Sequence, residues 1–140
     1  MYGDTAASRK RVAQLREQGG DIRAMADRLV AQAESVPWTG RAADSMRSRI
    51  KERASHLRLA AGHHDTAADS LTRHATEVDA LKDAIETISH KAGALTSDAR
   101  TRASQAGPGS VPSREDEVLL AFTPPPAGHK DWLTVTLPGL

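Results

Sequence analysis

The chain reads as an all-α protein, a hairpin of two long antiparallel helices followed by a proline-rich tail, and three observations lead there. Apolar residues recur at heptad spacing over two stretches, 5–35 and 41–106; six of the seven prolines lie in 107–140; and aromatic residues make up only 3% of the chain. Alanine, leucine, arginine and aspartate recur in their place, which suits packed helices better than a β-sandwich. At 140 residues the chain is one ordinary domain. The expected division is a hairpin over 1–106 and a tail over 107–140.

In the first stretch Val12, Leu15, Gly19, Ile22, Ala26, Leu29, Ala33 and Val36 fall at alternating steps of three and four, the seam of a heptad repeat. One row is small (Gly19, Ala26, Ala33) and the other large (Leu15, Ile22, Leu29), so a neighbouring helix can come close along one edge. Gly19-Gly20 costs about 1 kcal/mol per glycine against alanine inside a helix, and marks either a close crossing or a local bend.

Ser35-Val36-Pro37-Trp38-Thr39-Gly40 reads as the connection, because proline disfavours helix in the residue before it and Gly40 frees the backbone. The second stretch keeps a stricter register: Ala43, Ile50, Leu57, His64, Leu71, Val78, Ile85, Ala92 and Ala99 recur every seven residues. They are interleaved by Met46, Arg53, Ala60, Ala67, His74, Leu81, Ile88 and Leu95.

Such a helix is roughly twice the length of the first, about 95 Å against about 46 Å at 1.5 Å per residue. Laid back from the turn, the first helix reaches only to about residue 72. The apolar stripe Val78, Leu81, Ile85, Ile88 and Leu95 then needs another cover, and a partner helix is the economical one. An alternative parse breaks the second helix at Gly62 and restarts it at Asp65, giving a three-helix bundle; Gly93 offers a second early stop.

Charge divides along the second helix. Residues 41–60 carry six bases and two acids, residues 61–90 six acids and two bases. This is either a solvated face or a means for two such helices to pair antiparallel with opposite charges facing. Overall, 19 Lys and Arg against 18 Asp and Glu leave no field to hold a polyanion, so nucleic acid is not an expected partner.

The same residues argue against an enzyme. There is no cysteine, hence no thiolate nucleophile, disulfide or cysteine-held zinc. No nucleophile elbow or phosphate-cradling loop occurs. No two of the six histidines lie three or four apart, so His63, His64 and His74 make only a weak metal-binding alternative. The expectation is no catalytic, cofactor or metal site. No apolar run reaches a membrane span, and Met1-Tyr2-Gly3-Asp4 leads into charge rather than a signal peptide, so membrane insertion is not expected.

At the turn, Trp38-Thr39-Gly40 spells Trp-x-Gly between two heptad-patterned helices in a cysteine-free, alanine-rich chain. Over roughly residues 5–95 this resembles the WXG family, the ESAT-like helical-hairpin proteins of type VII (ESX) secretion in Gram-positive and especially actinobacterial cells. The resemblance implies a hairpin that dimerises into a four-helix bundle, as a homodimer or with another WXG-type protein. It also implies residence in the cytoplasm before export to the outside or the cell surface without a cleaved signal peptide. Trp38 and Gly40 map onto the family's turn residues; physically, the Trp38 ring is expected to bury itself at the hairpin end and Gly40 to permit the turn.

One feature departs from the family. Its export signal resembles Tyr-x-x-x-Asp/Glu after the second helix, and the only tyrosine here is Tyr2. The chain is then either a substrate whose partner supplies the signal or an adaptor for a larger secreted protein with a related N-terminal domain. The reading from a different class is a cytosolic coiled-coil scaffold unrelated to secretion. In the tail, Phe122 and Trp132 are expected to dock a segment on a partner or back on the bundle, and Trp132–Leu137 suits a short strand.

Overall fold

The structure is a computed structural model that describes residues 4–140. Helix α1 spans Thr5–Ser35, α2 spans Arg41–Gln105 and α3 spans Arg114–Ala121; a short 3-10 helix covers Lys130–Thr134. Among the described residues every regular element is helical. Tyr2 lies outside them.

Each start has a local cause. Asp4 caps α1 by accepting from the Ala6 amide at 2.9 Å, and Ser113 caps α3 by accepting from the Asp116 amide at 3.1 Å. Glu115, Asp116 and Glu117 place negative charge in the first turn of α3, where exposed amides favour it. α2 begins at Gly40, whose φ of 100° only glycine adopts without strain and whose carbonyl accepts the Asp44 amide at 3.0 Å. α2 continues through Gly62 and Gly93. The three-helix alternative is therefore not adopted: a single glycine costs about 1 kcal/mol in a helix, and neither of these has a proline beside it to force a stop.

The described chain forms two compact units, divided between Thr76 and Glu77. Asp4–Thr76 holds α1, the turn and the first part of α2 as an antiparallel hairpin. Its fully covered core is made of small residues: Gly19, Ala26 and Ala33 of α1, with Ala43, Ala54, Ala61, Ala68 and Ala75 of α2. The α1 seam agrees with the heptad reading, the large row Leu15, Ile22 and Leu29 being half-buried. On α2 the every-seven row holds, but its companion differs. Arg53, Ala67 and His74 are exposed, and the alanines at 54, 61, 68 and 75 are buried instead. Those alanines admit the backbone of α1, which larger side chains would hold off.

Gly19 marks a close crossing. A Cβ there would lie 3.3 Å from an Asp65 carboxylate oxygen, 3.4 Å from the Ala61 carbonyl and 3.5 Å from the His64 Cβ, whereas one on Gly20 would meet nothing within 4 Å.

The second unit, Glu77–Leu140, is built differently. Ile85, Ala92 and Trp132 form its core, with Ile88, Phe122, Leu133, Val135, Leu137 and Leu140 packed around them. The tail is thus folded back onto α2. The strand expected at Trp132–Leu137 is not formed: Trp132 and Val135 amides bond to the carbonyls three residues back, at 3.2 and 3.3 Å. With no strand beside it to pair with, the segment satisfies its backbone locally.

Candidate functional site

The Trp-x-Gly turn is closed by an arginine. Arg47, nearly two turns into α2, donates from Nε to the Ala33 carbonyl at 3.2 Å and from Nη2 to the carbonyls of Val36 and Trp38, both at 2.7 Å. Ala33 and Val36 carry carbonyls that the end of α1 leaves without helical partners and Trp38 one from the connection, and a charged fork satisfies all three at once. The Trp38 ring, expected to be buried, is 61% exposed. Arg47 carries the structural role expected of the ring, and the indole is left facing solvent on an anchored turn.

Along the hairpin, ion pairs cross from α1 to α2, among them Arg16 to Asp69 at 2.9 Å, Arg23 to Asp65 at 2.5 Å, Asp27 to Arg58 at 2.7 Å and Glu34 to Lys51 at 3.7 Å. The charge division of α2 is matched here by α1, basic toward its start and acidic toward its end. A parallel or slipped arrangement would set like charges together, so the pairs fix direction and register more than they add stability. The Arg23 hydrogen bond holds the Asp65 carboxyl below its ordinary value.

These four pairs use residues on one flank of the alanine seam. The half-buried row of Leu15, Ile22 and Leu29 on α1, and Ile50, Leu57 and Leu71 on α2, therefore lies along the other flank. Among the described residues no large side chain is fully buried. The hairpin closes on alanine, and its leucine row is only partly covered.

On the second unit, the stripe expected to meet a partner is largely covered from within the chain. Val78 is 7% and Ile85 3% exposed; Leu81, Ile88 and Leu95 are half-buried. Phe122 and Trp132 lie with ring centroids 6.2 Å apart at an interplanar angle of 60°, and the Trp132 indole donates to the Pro126 carbonyl at 3.1 Å. Gly139 approaches Leu95 so closely that a Cβ there would fall 3.3 Å from a Leu95 methyl. Arg102 clamps Asp116 by three hydrogen bonds of 2.7 to 3.3 Å, which lowers the Asp116 pKa and raises that of Arg102. A partner helix reaching Ile85 would have to displace this tail.

Nothing assembles His63, His64 and His74. His64 bonds through Nδ1 to the Ala60 carbonyl at 2.9 Å, while His63 and His74 are exposed. Among the described residues no cluster of three His, Cys, Asp or Glu could hold a metal ion, and no helix is long and apolar enough to cross a membrane. Sequence reasoning missed Arg47. Its signal was present as a long cation within two turns of the break, where uncapped carbonyls must gather.

No protein-family model, curated protein or solved structure matches the chain.

Proposed function

We propose that this chain works by helix–helix association, as a small secretion-associated protein of WXG type that is either exported or serves as partner to an exported protein. The observation that carries the reading is the hairpin core. Its closed part is glycine and alanine, and Leu15, Ile22, Leu29, Ile50, Leu57 and Leu71 are only half-buried, along one band. Such a band is favourably removed from water by further helices, at roughly 25 cal/mol per Å². The solvent-facing Trp38 on an Arg47-anchored turn adds a second contact point of the kind that interfaces favour.

The scaffold reading draws on a different feature, the 65 uninterrupted residues of α2. The test between them is solution mass by light-scattering chromatography, alone and after co-expression with a second Trp-x-Gly protein encoded beside it. A stable complex supports the secretion-type reading. A monomer indifferent to that neighbour removes it.

A further inference from the structure

We infer that the leucine band of the hairpin takes an acidic helical partner rather than a second copy of this chain. The inference rests on the helix-association reading above and names the chemistry of the occupant.

Two groups of bases flank the hairpin on opposite sides. Arg16, Arg23, Lys51 and Arg58 lie on the seam flank where the two helices meet, and each has a carboxylate across from it. Arg28, Arg49 and Arg53 lie on the far side of the leucine rows, are exposed, and make no ion pair among the described residues. Arg49 and Arg53 line a shallow groove with Met46 and Ile50, so positive charge and apolar surface occur together.

Carboxylates are missing from the same rows. On α2 the two rows beyond Ile50, Leu57 and Leu71 hold Ala42, Met46, Arg49, Arg53, His56, Ala60, His63, Ala67, Ser70 and His74, and no acid. On α1 the corresponding rows hold Arg11, Asp21 and Arg28 as their only charges from Ala7 to Ser35. The rim of the band thus carries four arginines, at 11, 28, 49 and 53, against one carboxylate. Glu52 is the next acid outward on α2 and lies one row further round.

A second copy docking through this band would do so isologously, and its rim would offer the four arginines a single carboxylate, Asp21, whichever way round it lay. Arginines brought to an interface without carboxylates to meet them disfavour that pairing. A helix with the same apolar period and Glu or Asp at its flanking positions meets the leucines with its apolar edge and the arginines with its charge. Arginine forks suit that role, since each can hold a carboxylate by two parallel bonds.

The test uses the full chain and two synthetic helical peptides that share one leucine heptad, one with Glu and one with Lys at every flanking position. The Glu peptide should bind at least about tenfold tighter at low salt, with the difference shrinking as salt rises. The double variant R49E/R53E should reverse the preference while its helical circular dichroism stays unchanged, since both side chains are exposed and unpaired. Equal affinity for the two peptides, or a preference that R49E/R53E leaves intact, overturns the acidic partner but leaves helix association standing. A chain that is itself a dimer and refuses both peptides assigns the band to a second copy, with the same consequence. A monomer that refuses both overturns the inference and the reading beneath it.

Discussion

The two units cover the same helix by opposite means. In the hairpin, α1 approaches α2 over Gly19, Ala26 and Ala33 against alanines at 54, 61 and 68, and charge pairs fix the register. In Glu77–Leu140 the cover is the short helix α3 and the turns after it, held by two aromatic rings, Ile85 and the Arg102–Asp116 clamp. A helix can use small residues because its own backbone is satisfied and it can lie close over many turns. A tail of short helical pieces needs large side chains at a few points, and settles the backbone between them by local turns. The first solution spreads its contacts along two helices and the second concentrates them at a few large side chains; in both, an apolar row stays half-buried.

The sharpest way to break this contrast is Trp132→Ala. The residue is 5% exposed, and its loss should cost the second unit about 3 kcal/mol, seen as lost hydrogen-exchange protection around Val135 and Leu140 with the hairpin unchanged. Arg47→Ala should cost the hairpin about 2 kcal/mol in denaturant unfolding, because three carbonyls lose a charged donor, and Arg47→Lys should restore little of it. Gly20→Ala should stabilise by up to about 1 kcal/mol, having open space and a helical backbone. Gly19→Ala should gain less or lose, since its Cβ meets Asp65 and Ala61 closely. Trp38→Ala should change the melting temperature by the equivalent of about 0.5 kcal/mol at most, with its effect confined to partner binding.

Acid should loosen both units by the least. Asp65 and Asp116 have folded pKa values below their unfolded ones, so their contribution is present at neutral pH and is lost as pH falls below about 4. Asp65→Asn and Asp116→Asn should each flatten part of that acid limb in a pH series of thermal melts.

How much was legible in the sequence follows from the same contrast. The α1 seam and the every-seven row of α2 could be read because heptad periodicity is local. The companion row could not. Ala60 and Ala61, or Ala67 and Ala68, look alike in sequence, and only the side from which α1 arrives decides which is buried. That side was encoded in charge, in the match of Arg16, Arg23, Asp27 and Glu34 to Asp69, Asp65, Arg58 and Lys51. Trp38 was misplaced because an apolar ring suggests burial, while Arg47 had already met the needs of the turn. The tail's aromatic residues signalled docking, but β-branched residues around Trp132 suggested a strand that had nothing to pair with.

The most direct test of helix association through the leucine band is hydrogen exchange by mass spectrometry on the full chain, alone and in complex with its co-expressed Trp-x-Gly neighbour. The account predicts added protection over Leu15–Leu29 and Ile50–Leu71, with Leu81–Leu95 and the tail around Trp132 unchanged. Added protection over Leu81–Leu95 together with faster exchange in the tail would contradict it, placing the partner on the surface that the tail now covers.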